Sequence, residues 1–124
     1  MENSSLFKEM FRNAYTGMVV LGRNSRLLFA NRAFLAMAGL DETEISRNYF
    51  YDCLHFDDRK TFIQEYDRLS REELRHAVIE ARTGRDESKH WSIDLSLQRE
   101  THREKQFVFG IVSDDEETAR SLVG

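Results

Sequence analysis

The stretch from residue 18 to residue 39 constrains the fold most, because it predicts a hairpin followed at once by a capped helix. Two short apolar runs, residues 18–21 and 27–30, flank the turn-forming cluster Gly22-Arg23-Asn24-Ser25. This arrangement is typical of a β-hairpin. Asn31 then precedes a run of helix formers that ends at Gly39. Asn accepts hydrogen bonds from the first free backbone N–H groups of a helix, and Gly ends a helix easily in a left-handed conformation.

Length and charge narrow the class of protein. A chain of 124 residues is one domain that can bury a real core. Its 22 acidic and 18 basic residues give a net charge of -4, so we expect no nucleic-acid partner. No apolar run approaches the roughly 20 residues that span a bilayer, and the N-terminus does not resemble a secretory signal. We therefore expect a cytoplasmic protein with no membrane partner.

The N-terminal segment predicts an amphipathic helix. Its apolar residues recur at helical spacing and are opposed by charged residues on the other side; they are Leu6, Phe7, Met10 and Phe11. A helix of this kind needs a surface to lie on. That surface is either the rest of its own domain or a second copy of the chain, and the pattern leaves both open.

Several helix starts are predicted between residues 40 and 60. Asp41 with Glu44 resembles a capping box, and Asn48 is a candidate cap for a short helix around residues 49–54. Asp57 is the expected cap of a longer helix over residues 58–69, with Asp58 at the positive end of its dipole. The inner face of this helix is marked by Phe62, Ile63, Tyr66 and Leu69.

The remaining segments predict mainly strands. Residues 73–82 have good helix propensity, but their alternation also permits a strand. Residues 91–98 alternate between apolar and polar, so one face is buried and the other is wet. Residues 106–113 are apolar on both faces, which predicts a central strand whose second face is covered by the N-terminal helix or by a partner. The whole order predicts an α+β domain with helices gathered on one face of a sheet.

The ordered motifs resemble those of the PAS domain family over essentially the whole chain. They are the leading LF-x-x-x-F helix, the RLLFAN hairpin, the Asn31 helix that ends in Ala-Gly, the sequence LHFDDR, a strand carrying Trp91, and the final FGIVSD strand. The resemblance implies a PAS fold: a five-stranded antiparallel sheet in the order 2-1-5-4-3, with short helices on one face and an N-terminal flanking helix. It also implies a sensory or interaction role in signal transduction, commonly as a dimer.

The same resemblance divides the chain into a flanking helix at residues 1–17, a PAS core at residues 18–114 and the start of an exit helix at residues 115–124. Two departures from the family pattern stand out. The family often has Asp-x-x-Gly in the first hairpin, where this chain has Gly22-Arg23-Asn24-Ser25. The family's closing Asp-Ile-Thr is reduced to Asp114, so the geometry of coupling to an output helix differs more than the fold.

The sequence offers no enzyme site. Cys53 lies in an aromatic segment and is expected to be a buried, inert thiol. The flavin-attachment motif of light-sensing members is missing around it. His55 precedes the long helix and is expected to be a capping or loop residue, whereas haem-binding members place a His on that helix. Flavin and haem are therefore disfavoured, and the other histidines share no metal-type spacing.

A candidate pocket lies between the predicted sheet and helices. Its lining residues are Asn31, Phe34, Met37, Phe62, Tyr66, Trp91 and Phe109. These side chains either fill the core or surround a small apolar or aromatic ligand, with Tyr66 and Asn31 as polar groups. Sequence does not separate the two readings, because both require the same apolar faces.

Two functions from different classes follow. The first is a sensory or regulatory domain, of a two-component or other regulatory protein, that binds a small ligand or a partner. It relays the signal to an effector on a longer parent protein or on a partner chain. The second is a ligand-free module for homodimerisation or protein docking. Dimer contacts and coupling are assigned to Leu6, Phe7, Met10, Phe11 and Asp114.

Overall fold

A computed structural model describes residues 2–100 and 105–114. It contains α1 (Glu2–Asn13), α2 (Arg32–Ala38) and α3 (Arg59–Ser70), and the strands β1 (Gly17–Leu21), β2 (Leu27–Ala30), β3 (His76–Arg82), β4 (His90–Arg99) and β5 (Gln106–Asp114). Short 3₁₀ helices cover Arg23–Ser25, Glu42–Arg47, Phe50–Cys53 and Phe56–Asp58. The predicted exit helix at residues 115–124 lies outside the described residues.

The strands form one antiparallel sheet in the order β2-β1-β5-β4-β3. This is the order that the family resemblance implied, and the central position predicted for β5 is confirmed. The apolar side chains of α2, α3 and the Phe50–Cys53 turn cover one face of the sheet, which we call the inner face. The opposite face is called the outer face.

Asn31 joins the first hairpin to α2. Its side-chain Oδ1 accepts the N–H of Met18 at 2.9 Å and the N–H of Phe34 at 3.0 Å, and its Nδ2 donates to the carbonyl of Thr16 at 2.9 Å. The predicted N-cap is therefore confirmed. Gly39, with φ +66°, ends the helix in the left-handed conformation that the sequence predicted.

The ambiguous segment is strand β3. Ala77, Ile79 and Ala81 are buried and alternate with exposed residues, and each pairs with an inward-facing residue of β4. Helix propensity is a weak preference per residue, and pairing with a neighbouring strand overrides it.

Two predicted caps are wrong. Asn48 does not cap the Phe50–Cys53 turn: Tyr49 holds the N-cap position, and Nδ2 of Asn48 donates back to the carbonyl of Glu44. Asp57 does not cap the long helix, because it lies within the 3₁₀ turn Phe56–Asp58, where its backbone N–H donates to Nδ1 of His55 at 3.2 Å. The capping role expected for His55 is therefore confirmed.

Ile63 was also misplaced: it is 46% exposed, whereas Phe62, Tyr66 and Leu69 form the buried face of α3. A stripe of three residues already fills the space between α3 and the sheet.

Candidate functional site

The space between the sheet and the helices is filled by aromatic rings. The ring of Phe50 stacks against Phe34 and Phe62, with centroid distances of 5.6 and 5.1 Å. Trp91 on β4 meets Phe34 edge-on at 5.7 Å. All of these side chains are buried. The predicted residues Phe34, Phe62 and Trp91 do come together, but they pack against each other and against Phe50.

Phe50 is the residue that sequence reasoning missed. The aromatic segment around Cys53 was recognised, yet Phe50 itself was not placed at the centre of the domain. The available signal was its position in a short turn between two helices, flanked by partly exposed tyrosines. A large apolar residue at such a point is the one that points inward.

Asn31 and Met37 lie at the edge of this aromatic cluster. Three hydrogen bonds to backbone groups occupy the side chain of Asn31, which is buried. Met37 is partly buried and packs close to Gly17. A Cβ atom added to Gly17 would lie only 3.0 Å from Sδ of Met37. Both residues therefore hold α2 against β1.

The structure places Phe109 on the outer face instead of in the cavity floor. On β5 the inward residues are Val108, Gly110 and Val112, and Phe109 pairs with Ser96 and Val20 on the outer side. Side chains of a strand alternate between faces, so Phe109 and Trp91 lie on opposite sides of the sheet. The sequence alone does not decide on which face of the sheet Phe109 lies, because both faces of β5 are apolar.

A cleft of about 830 Å³ opens beside the filled interior. Its walls come from the first hairpin turn, from α3, and from the neighbouring ends of β4 and β5. The lining includes Gly22, Ser25, Tyr49, Tyr51, Tyr66, Leu97 and Val108. Of the predicted pocket residues, Tyr66 is the one that lines this cleft.

Tyr66 connects the cleft to the hairpin turn. Its hydroxyl donates to the carbonyl oxygen of Gly22 at 2.6 Å. Burial of the side chain raises the pKa of Tyr66 well above its ordinary value, so this hydroxyl keeps its proton at physiological pH.

Ser25 is a buried residue of the turn in an unfavourable backbone conformation. It is only 1% exposed, its φ is +66°, and its Oγ has no hydrogen-bond partner. Left-handed backbone is unfavourable for residues other than Gly. Ser25 stands where the Gly of the family's Asp-x-x-Gly pattern stands, and it adopts the left-handed conformation that Gly adopts at little cost.

The charged groups beside the 3₁₀ turn Phe56–Asp58 form a separate network. Arg82 donates through its backbone N–H and two side-chain nitrogens to the carboxylate of Asp58, at 2.8 to 3.0 Å. These hydrogen bonds lower the pKa of Asp58. Nε2 of His55 lies 3.1 Å from Glu87. The network ties α3 to β3.

Burial raises the pKa of Cys53 to about 12, and the neighbouring Asp52 carboxylate adds to the shift. A thiol in this state carries little thiolate at neutral pH and is a poor nucleophile. Among the described residues, no three His, Cys, Asp or Glu side chains are grouped as metal ligands.

Apolar side chains are also exposed at the surface. On α1, Leu6, Phe7 and Met10 are 57%, 67% and 58% exposed while the helix contacts α2; we call these three residues the α1 stripe. On the outer face, apolar side chains of three adjacent strands form what we call the outer patch, which consists of Val20, Phe29, Phe109 and Ile111. Asp114, predicted to couple to an output helix, is the last residue of β5 and pairs with Trp91.

No helix within residues 2–100 and 105–114 has the length and apolar character needed to cross a bilayer.

Comparison with solved structures finds PAS domains with a similar fold. A PAS domain from a two-component sensor histidine kinase superposes with a TM-score of 0.72 at 15% identity, over 91% of this chain and 96% of that one. The PAS domain of an HTR-like protein from Haloarcula marismortui superposes with a TM-score of 0.63 at 19% identity, over 91% and 92%. A PAS domain from Colwellia psychrerythraea gives a TM-score of 0.71 at 11% identity, over 90% and 96%.

The search of curated proteins finds no relative of this sequence. The sequence model of the PAS domain matches residues 5–75, from α1 to just before β3. This match covers more than half of the chain, and the sheet order and helix placement agree with it. The chain belongs to the PAS domain family.

Proposed function

We propose that this domain is a regulatory signalling module that associates with a second copy of itself through the α1 stripe and the outer patch. The observation that carries the proposal is the exposure of the α1 stripe, in which each of three large apolar side chains is more than half accessible. Burying such side chains against a partner removes apolar surface from water, at roughly 25 cal/mol per Å².

The outer patch supplies a second surface of the same character. Phe29 is 63% exposed, and Phe109 and Ile111 are only partly buried at the middle of the sheet. The solvated face of an antiparallel sheet is normally polar, so an apolar outer face indicates a surface that a partner covers. In a two-fold symmetric dimer, the α1 stripe of one copy covers the outer patch of its partner, and the reverse contact forms at the same time.

The filled interior supports association as the means of signalling. Phe34, Phe50 and Phe62 fill the middle of the space between the sheet and the helices. The relay to an effector therefore uses the surface: a change in how two copies dock alters the position of α1 and of the end of β5. The effector lies on a longer parent protein or on a partner chain. A similar fold in a sensor histidine kinase supports this role.

Sedimentation equilibrium of the wild-type chain and two serine variants tests the proposal. We expect a concentration-dependent dimer for the wild type and a dissociation constant at least tenfold higher for Phe7→Ser, since a buried aromatic anchor contributes about 2 kcal/mol or more. Phe56→Ser is the matched control, because Phe56 is 78% exposed but belongs to neither surface. A wild-type monomer, or equal weakening by both variants, contradicts the proposal.

A further inference from the structure

We propose that strand β3 pairs edge to edge with β3 of a second copy of the chain. β3 is an outermost strand of the sheet, and only its side towards β4 is paired. The other outermost strand, β2, is four residues long, and the N–H of Leu27 at its start donates to the carbonyl of Asn48. The inference goes beyond the association proposed above, because no residue of β3 belongs to the α1 stripe or the outer patch.

The backbone groups of every second residue of β3 point away from β4. Just outside the two ends of the strand, the N–H of Leu97 donates to the carbonyl of Arg75, and the N–H of Thr83 donates to the carbonyl of Lys89. Bonded pairs of an antiparallel ladder recur at every second position. The residues at the even positions in between therefore turn their N–H and C=O groups to the free side of the strand; they are His76, Val78, Glu80 and Arg82. We call the first three of these residues the β3 edge.

The C-terminal end of this free side is covered. The backbone N–H of Arg82 donates to Asp58 at 2.8 Å, and its carbonyl accepts the N–H of His55 at 2.9 Å. Within residues 2–100 and 105–114, no group bonds to the outward N–H and C=O groups of the β3 edge. The strand also lacks the Pro or Lys residues that commonly protect an exposed edge from pairing. The β3 edge is therefore open to another strand.

One register brings the whole β3 edge together with its copy. In a two-fold antiparallel pairing centred on Val78, this residue opposes itself and His76 opposes Glu80, so that three pairs of residues each exchange two hydrogen bonds. A centre at residue 77 places one edge residue opposite residue 74, which precedes β3. A centre at residue 79 places one opposite Arg82, whose backbone is already bonded. The register centred on Val78 is thus the one that uses every open group.

The side chains of the β3 edge are complementary to themselves in this register. Val78 is 58% exposed and meets its own copy across the two-fold axis, which removes apolar surface from water. The acid Glu80 opposes the base His76, and both side chains are exposed. Nε2 of His76 contacts Asp94 of its own chain, so Nδ1 is the ring nitrogen that faces the partner. The other two registers place Val78 opposite a charged or polar side chain. This self-complementarity favours a second copy over an unrelated strand.

The consequence is an assembly larger than a dimer. Two copies that associate through the α1 stripe and the outer patch use none of the β3 edge, so each copy can still pair through it. A chain with two different two-fold contacts joins dimers into a closed tetramer or an open row.

Amide hydrogen exchange, followed by NMR on dilute and concentrated samples, tests the pairing. Phe7→Ser is the background, so that the result does not depend on association through the α1 stripe. We expect the amides of the β3 edge to exchange at least about fivefold more slowly in the concentrated sample, because pairing shields them. The amides of Ala77, Ile79 and Ala81 bond to β4 and should be protected in both samples. Equal exchange of the edge amides in both samples overturns the proposal. Protection already in the dilute sample also overturns it, because a segment of the same chain then covers the edge.

Two charge variants in the same background test the register by sedimentation equilibrium. Glu80→Lys opposes two basic side chains, and His76→Glu opposes two carboxylates, so each variant alone should raise the dissociation constant at least about fivefold. An equimolar mixture of the two variants again places an acid opposite a base at both positions and should pair within about twofold of the background protein. A general loss of folding is not repaired by mixing.

Glu42→Lys is the matched control, since Glu42 is exposed, lies outside β3 and undergoes the same change of charge. It should pair as the background protein does. A mixture of Glu80→Lys and His76→Glu that pairs no better than either variant alone contradicts the assigned register. Equal weakening by Glu42→Lys and Glu80→Lys contradicts the assignment of the contact to the β3 edge.

Discussion

The hydroxyl of Tyr66 on α3 donates to the carbonyl oxygen of Gly22 in the first hairpin turn, across 44 residues of sequence. This bond joins the two segments that form opposite sides of the cleft. It is also the one point at which a predicted pocket residue makes a polar contact beside an open space, whereas the other aromatic candidates on the inner face are packed together.

Removal of this hydroxyl should cost modest stability. We expect Tyr66→Phe to lower the free energy of unfolding by about 1 kcal/mol, because Gly22 still accepts a hydrogen bond from the N–H of Ser25. Urea denaturation followed by circular dichroism measures the change. Tyr15→Phe is the control, since Tyr15 is fully exposed and should be neutral. Equal stability of both variants and the wild type rejects a structural role for the bond.

Asn31 should be far more sensitive. Asn31→Ala removes a helix cap and two further hydrogen bonds to buried backbone groups, so we expect a loss of about 3 kcal/mol in the free energy of unfolding. Asn31→Asp keeps the acceptor for Met18 and Phe34 but loses the donor to Thr16, and should recover part of that loss. Denaturant titration of the three proteins tests the ranking. If Asp is no better than Ala, the acceptor role assigned to Oδ1 is not supported.

The central ring should be the most costly single truncation of the interior. Phe50→Ala leaves a cavity among Phe34, Phe62 and Trp91, and we expect a loss of about 3–5 kcal/mol. Thermal and urea unfolding measure this loss. Phe56→Ala truncates an exposed ring in the next turn and should change stability little. A small effect at Phe50 would mean that the interior is not tightly filled.

Asp58 gives the protein an acid-sensitive contact. Hydrogen bonds from Arg82 lower its folded-state pKa below the ordinary value of 3.8. A group of this kind stabilises the fold above its unfolded pKa, and the contribution is lost as pH falls through the folded pKa. The wild type should therefore be more stable than Asp58→Asn at pH 7, with the difference shrinking below about pH 4.

Denaturant unfolding at a series of pH values tests this expectation. Asp57→Asn is the control, since the Asp57 side chain is largely exposed and lies 3.9 Å from Arg82. A difference between wild type and Asp58→Asn that does not change between pH 7 and pH 3 contradicts the assignment.

Local chemistry explains which parts of the fold could be predicted. The hairpin, the Asn31 cap and the Gly39 stop depend on residues close in sequence, so their pattern is readable without coordinates. The sheet order followed from the family resemblance, because a chain with the family's motifs in the family's order is expected to have the family's strand order.

Other features depend on register and distant contacts. Phe109 was assigned to the wrong side of the sheet because both faces of β5 are apolar, and only its pairing with Ser96 and Val20 decides the side. Asp57 looked like a cap by residue type, but it lies inside the 3₁₀ turn Phe56–Asp58, which His55 caps. Of the predicted pocket residues only Tyr66 lines the cleft, because the other walls come from the hairpin turn and from the ends of β4 and β5, which meet α3 only in the folded chain.

The central claim, that two copies associate through the α1 stripe and the outer patch, is tested most directly by NMR on a mixture of isotopically labelled and unlabelled chains. An isotope-filtered NOE experiment detects contacts between copies alone. We predict intermolecular NOEs from Phe7 and Met10 of one copy to Phe109 and Ile111 of its partner. Contacts between copies that involve neither surface, or no intermolecular contacts in a sample at dimer-forming concentration, would contradict the account.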